Sequence, residues 1–265
     1  MGRYDHPERR PAVVAGASSG IGAETARSLA AAGHPVALGA RRVDRLEELA
    51  AAIRADGHEA VAHPLDVADS DSVADFAAKV AADLGEVEVV VSNAGLLGPG
   101  ALLEVATDRL AAEFEVNVLG PHRLVRAFVP GMVERGRGDI VFVSSDTAVR
   151  ARPFMGGYSA TKSGLEGLVA SLQMELEGTG VRASVVRPGP TWSEMGMDWD
   201  PDAAAFVLTE WVKWGHARHS HFLKASAIAN AITAVVSAPR GVHLSPVDVN
   251  PEAPIEKSEK KEEGR

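Results

Sequence analysis

A short apolar run, Val13-Val14-Ala15, passes directly into Gly16-Ala17-Ser18-Ser19-Gly20-Ile21-Gly22 and from there into a stretch with helical patterning. Glycines between a strand and a helix allow a tight turn and a close approach of backbone to a ligand. The helix N-terminus behind them offers unpaired N–H groups and a positive dipole end, the two things a pyrophosphate needs. The spacing, G-x-x-x-G-x-G, differs from the more widespread G-x-G-x-x-G, and the same glycines also suit an ordinary structural turn.

The rest of the chain repeats this strand-then-helix order. Strand-like runs lie at 11–15, 35–39, 59–65, 87–92, 139–144, 181–187 and 242–249, with amphipathic stretches between them. Such alternation reads as βαβ units. Runs such as Val87-Glu88-Val89-Val90-Val91 and Asp139-Ile140-Val141-Phe142-Val143 are nearly continuous in apolar residues, as strands covered on both faces must be. The fold expected is α/β: a single Rossmann-type, doubly wound parallel sheet of about seven strands with helices on both faces. At 265 residues and 46% hydrophobic content the chain has enough apolar mass for one such domain.

Three parts are distinguished: an N-terminal extension at 1–10, the domain at 11–250, and a tail at 251–265. The tail carries Glu256-Lys257-Ser258-Glu259-Lys260-Lys261-Glu262-Glu263 without an apolar anchor and is expected to be disordered. Within the domain, 189–223 is rich in Trp, Met, His and Pro, including Trp192, Met195, Met197, Trp199, Trp211 and Trp214. It follows a strand, where the ligand-binding loops of open α/β sheets lie, and reads as a substrate-covering segment.

Composition removes several function classes. The chain has no cysteine, which excludes disulfides, thiolate metal sites and a cysteine nucleophile. A net charge of -9 argues against nucleic acid as a partner, because phosphate-backbone binding needs clustered cations. The N-terminus MGRYDHPERRP is charged, and no run of about 18 apolar residues occurs, so neither a leader nor a membrane span is expected. A cytoplasmic location follows as the expectation. His216, His219 and His221 are clustered without neighbouring carboxylates or cysteines, so no metal is expected there. They read as a pocket rim or plain surface.

Two further patterns bear on chemistry. The second strand ends in Ala40-Arg41-Arg42, where a dinucleotide fold separates a ribose hydroxyl from a 2′-phosphate. An acid there prefers NAD and an arginine accommodates NADP, so NADP (NADPH) is favoured over NAD. Tyr158 and Lys162 stand four residues apart in a helical stretch, which places phenol and ammonium on one face. A cation so placed favours phenolate and draws the phenol below its usual pKa of about 10. Ser144 and Ser145 close the strand before this pair, and Asn117 lies in an earlier helix.

In the order of these motifs the chain resembles the short-chain dehydrogenase/reductase (SDR) family, of NADP-preferring type, from about residue 11 to 250. The matching motifs are Gly16, Gly20 and Gly22, then Asp66-Val67 after the third strand, Asn93-Ala94-Gly95 after the fourth, and Pro188-Gly189 after the sixth. The resemblance implies a catalytic set of Asn117, Ser145, Tyr158 and Lys162. It implies a cofactor site of Gly16, Ser18, Ser19, Gly20, Ile21, Gly22, Arg41, Arg42, Asp66, Val67, Asn93, Ala94, Gly95, Tyr158, Lys162, Pro188, Gly189, Thr191 and Ser193. The function implied is interconversion of a carbonyl and an alcohol by hydride transfer, with the substrate oxygen held by Ser145 and Tyr158 and the proton carried by Tyr158. Lys162 is implied to hold the nicotinamide ribose and lower the Tyr158 pKa, and Asn117 to hold a water of a proton relay.

The implied substrate is a moderately apolar ketone, aldehyde or secondary alcohol. A catalytically idle redox sensor and a non-redox member, such as a dehydratase or epimerase, are the alternatives. Family members often pair through the helices corresponding to 107–132 and that of Tyr158, so a homo-dimer or homo-tetramer is implied; Ser163, Gly167, Ala170 and Ser171 supply small residues on the latter. Three positions depart from the family pattern. Ala15 replaces the usual Thr that ties the glycine loop to the Asn-Ala-Gly strand end, Ser19 is not basic, and Ser193 stands where Thr is usual.

Overall fold

The computed structural model describes residues 6–192, 194–195, 201–216, 219 and 221–253. The expected Ser193 contact, Met197, Trp199 and the tail from 254 onward lie outside the described residues.

The first half is built of regular βα units. β1 (Ala12–Ala15) leads into α1 (Gly20–Ala31), β2 (Val36–Ala40) into α2 (Val43–Ala55), and β3 (Ala60–Pro64) into α3 (Ser70–Leu84). β4 (Val89–Ser92) is followed by α4 (Thr107–Phe114), which runs through a π turn at Glu115–Leu119 into α5 (Gly120–Arg135). β5 (Gly138–Val143) leads to α6 (Gly156–Glu175), then β6 (Val181–Pro188). A short pair, β7 (Thr191–Trp192) and β8 (Leu223–Lys224), brackets α7 (Pro201–Lys213), and α8 (Ala225–Ser237) precedes β9 (Val247–Val249).

The main sheet has seven strands in the order β3-β2-β1-β4-β5-β6-β9, every pairing parallel. The expected doubly wound architecture is present, and its core shows why the strands read as unbroken apolar runs. Alternate residues of one strand enter opposite cores: Ala12 and Val14 pack with Leu29, Leu46 and Ile232, whereas Val13 and Ala15 pack with Phe76, Leu124 and Leu165. β1, β3 and β4 are one or two residues shorter than expected, and the last strand is five shorter, starting at Val247 and not at 242. Pro246 offers no N–H to a ladder, and Val242 and Leu244 are exposed.

Strand order reverses between β1 and β4, which opens a crevice at their C-terminal ends, the standard ligand position of such sheets. The chain before β1 is tied down at long range. Arg10 is buried, pairs with Asp139 of β5 and donates to the Val236 carbonyl at 2.8 Å.

Candidate functional site

The crevice is the mouth of a cavity of about 730 Å³. One end is walled by Gly16, Ser19, Gly20, Ile21, Arg41, Arg42, Asp66 and Val67, and the other by Ser145, Tyr158, Lys162, Met155 and Trp211. Asn93, Ala94, Gly95, Pro188, Gly189 and Thr191 line the stretch between. One continuous space therefore joins nearly all the residues singled out in the sequence, from the glycine loop to the tyrosine. Gly22 and Asn117 lie just behind its walls.

At the glycine end the backbone leaves no room for side chains. Gly16 has φ +80°, and a Cβ on Gly22 would stand 2.1 Å from the Gly16 carbonyl oxygen. The helix behind the loop is left open. α1 begins after Ser19, whose side chain makes no capping bond, and no acid stands in its first turn. In α3, by contrast, Asp69 caps the helix by accepting from the N–H groups of Asp71 and Ser72. An uncapped N-terminus facing a cavity fits an anionic group such as a pyrophosphate. The loop is held without the usual Thr at position 15: Asn93 Nδ2 donates to the Gly16 carbonyl at 3.1 Å, and the Asn93 N–H to that of Ala15 at 3.2 Å.

The two arginines after β2 differ. Arg42 donates to Ser18 and Ser19 at 2.9 and 2.7 Å and to Glu194 at 2.8 Å. Arg41 is exposed at the cavity and makes no hydrogen bond or ion pair among the described residues. Asp66 is engaged in its own turn, its carboxylate accepting the Ala68 N–H at 3.0 Å.

The tyrosine end is assembled from three elements. β5 delivers Ser145 just past its end, and the Ser145 hydroxyl caps the short turn at Asp146–Ala148 by accepting the Thr147 N–H at 3.2 Å. α6 supplies Tyr158 in its first turn and Lys162 one turn on. The π turn supplies Asn117, fully buried. A π insertion between two α segments is a rare local geometry that recurs at functional sites.

The Asn117 side chain is saturated. Its amide donates to the Leu96 carbonyl at 2.8 Å and to Thr161 Oγ1 at 3.0 Å, and its oxygen accepts the Leu96 N–H at 2.8 Å. Thr161 Oγ1 in turn donates to the Tyr158 carbonyl at 2.8 Å. Thr161, which the sequence reading passed over, thus couples the π turn to the tyrosine helix.

Electrostatics here differ from the expectation that Lys162 depresses the Tyr158 phenol. Burial raises the phenol well above its ordinary value, with the Ser145 hydroxyl opposing as a hydrogen-bonding partner. Lys162 is buried too, and burial brings it down to about 8. Its ammonium donates to the Val143 carbonyl at 2.8 Å and stands 5.5 Å from the tyrosine ring centre. In the chain by itself, desolvation is the largest cause of the shift in both groups.

Beside Ser145 lies a second pair without a sequence signal. Asp146 and Arg152 form a close ion pair, and Arg152 stacks over Trp211 at 4.8 Å, while Trp211 Nε1 donates to the Pro153 carbonyl at 3.0 Å. Burial raises Asp146 and lowers Arg152. The segment at 189–223 contributes Trp192, Met195, Ala204, Leu208, Trp211 and Phe222 to the cavity wall, and Trp192 meets Phe222 at 4.9 Å. Trp214 is exposed. His216, His219 and His221 line a separate cavity of about 430 Å³ with Arg150, Arg152 and Asp248.

Comparison with known proteins agrees with this layout. The family model for short chain dehydrogenase matches residues 10–204. A glycine betaine reductase of Emericella nidulans is 34% identical over 241 residues, 91% of this chain, although the chain spans only 18% of that much longer protein. The 2,3-dihydro-2,3-dihydroxybenzoate dehydrogenase of Bacillus subtilis is 31% identical across 88% of this chain and 91% of its own. Among solved structures, an alcohol dehydrogenase of the archaeon Thermococcus sibiricus complexed with 5-hydroxy-NADP superimposes with a TM-score of 0.78 at 34% identity, covering 92% of this chain and 96% of that one. These relatives are oxidoreductases, and the sheet order, the glycine loop and the family match agree: the chain belongs to the short-chain dehydrogenase/reductase family.

Proposed function

We propose that this protein is an NADP(H)-dependent carbonyl reductase or alcohol dehydrogenase, acting on a moderately apolar ketone, aldehyde or secondary alcohol. The observation that carries this reading is the single cavity that runs from the uncapped helix behind Gly20 to Tyr158. When bound, a nicotinamide dinucleotide supplies or accepts the hydride. The glycine loop and the α1 N-terminus would hold its pyrophosphate, Asp66 and Val67 would flank its adenine, and Pro188, Gly189 and Thr191 its nicotinamide end. Arg41, without a hydrogen-bond or ion-pair partner among the described residues, would meet a 2′-phosphate, which is why NADP is preferred over NAD in this proposal.

Ser145 and Tyr158 would donate hydrogen bonds to the substrate oxygen, and Tyr158 would release its proton to that oxygen as the carbon is reduced. The raised phenol pKa keeps this proton in place at working pH, the state from which a reduction starts. Lys162, as its ammonium, would stabilise the phenolate left behind, and reprotonation would restore the phenol. The Asn117 amide is fully used, so a relay water at this residue would rest on its main-chain oxygen while the side chain fixes the π turn. Apolar walls from Met155, Leu208, Trp211 and Phe222 favour an apolar substrate.

A homo-dimer or homo-tetramer in the cytoplasm completes the proposal. It is supported by exposed Phe114, Leu119, Val133 and Met174 on the helices that pair in the resembled family. No described helix is long and apolar enough to cross a membrane.

NADPH consumption over a broad carbonyl panel tests the function. Turnover should appear with wild type and fall by about 10²- to 10⁴-fold in Tyr158→Phe, with NADPH binding retained. Tight binding without turnover, unchanged by this substitution, sinks the enzyme reading. Product formed without net change in NADPH absorbance points to a non-redox reaction.

A further inference from the structure

One carboxylate reaches across the cofactor cavity. Glu194, just past β7, accepts from Arg42 at 2.8 Å and from Arg45 at 2.6 and 2.7 Å, although Arg42 stands on the far wall, after β2, and Arg45 belongs to α2. These two hydrogen-bonded arginines hold the Glu194 carboxyl near pKa 2, so it is ionised at every working pH. Arg42 meanwhile lies on Ser18 and Ser19 of the glycine loop, and Arg41 beside it is unpaired among the described residues. The result is two guanidinium groups, Arg41 and Arg42, at one end of the cavity, with one protein carboxylate bridging Arg42 to Arg45.

We propose that Glu194 is a specificity-determining residue that occupies, on Arg42 and Arg45, the place a 2′-phosphate takes. This rests on the cofactor assignment above. A phosphate and a carboxylate present the same acceptor geometry to a guanidinium fork, so the two compete for Arg42. If both remained, two anions would sit side by side and repel. A phosphorylated dinucleotide must therefore displace Glu194, whereas an unphosphorylated one need not.

The pairs are suited to displacement. Side-chain exposure is 46% for Arg42 and 47% for both Arg45 and Glu194, and ion pairs so open to water are weak. Glu194 thus lowers the preference for the phosphorylated cofactor that Arg41, Arg42 and Arg45 would otherwise confer. It also ties cofactor identity to the segment that lines the substrate cavity, because Glu194 stands between Trp192 and Met195, both in the cavity wall.

The test is calorimetric titration of wild type and Glu194→Gln with NADPH, NADH, adenosine 2′,5′-bisphosphate and adenosine 5′-monophosphate. The variant should bind NADPH and the bisphosphate about three- to tenfold more tightly, with NADH and the monophosphate unchanged within about twofold. Equal changes for phosphorylated and unphosphorylated ligands, in either direction, overturn the inference, as does no change at all. The cofactor assignment is read separately from wild type. Tighter NADH than NADPH binding there refutes that assignment, while a selective gain in Glu194→Gln still establishes the competition.

Discussion

Lys162 gives its ammonium to the carbonyl of Val143, at 2.8 Å, and not to the phenol of Tyr158 one turn away. The lysine is anchored at the C-terminal end of β5, with its ammonium 5.5 Å from the centre of the tyrosine ring. Both side chains are almost entirely shielded from water, so each is pushed toward its neutral form.

A stability signature follows from this anchoring. The Lys162 pKa falls from an ordinary value of 10.5 to about 8. Between these limits the unfolded chain binds the proton and the folded chain does not, so stability rises with pH across that window. Urea unfolding should show wild type gaining stability relative to Lys162→Met as pH goes from about 8 to about 10.5. A pH-independent difference between the two would refute the buried, depressed lysine.

Thr161 joins the Asn117 amide to the tyrosine helix, and removing its hydroxyl leaves a buried donor unpaired. Thr161→Val should cost on the order of 1–3 kcal/mol in stability. Because the same hydroxyl also donates to the Tyr158 carbonyl, turnover should drop with little change in cofactor affinity, and Thr161→Ser should restore it. Full activity in the valine variant would show that the link is dispensable.

Gly22→Ala places a methyl group 2.1 Å from the Gly16 carbonyl oxygen and 2.6 Å from Asn93 Nδ2. The loop must shift out of its cradle geometry. Dinucleotide affinity should fall by about tenfold or more, read by quenching of tryptophan fluorescence, while far-ultraviolet circular dichroism stays native. Unaltered affinity would mean that the loop does not contact the ligand.

Arg41 has no hydrogen-bond or ion-pair partner among the described residues, so its replacement tests ligand binding directly. In steady-state kinetics Arg41→Ala should raise the KM for NADPH far more than that for NADH. Equal effects on the two would refute a 2′-phosphate contact.

Much of the fold was legible because its determinants are local. The apolar runs of β1, β2, β4 and β5, the glycines before α1, and the four-residue step from Tyr158 to Lys162 each act within a few residues of chain, and each appears where the sequence placed it. The short last strand was misjudged because Pro246 acts through a missing ladder bond that periodicity does not register.

The order of strands and helices and the glycine turn were thus legible in the sequence alone, through continuous apolar runs, helical periodicity of 3.6 and backbone freedom at glycine, and the family through the order of its motifs. Tertiary structure decided the charges. The partnership of Asp146 with Arg152, the reach of Glu194 across 152 residues of chain to Arg42, the saturation of Asn117 by Leu96 and Thr161, and the raised phenol of Tyr158 all depend on which groups lose water together. Desolvation and ion pairing are properties of the folded surroundings, and no spacing along the chain encodes them.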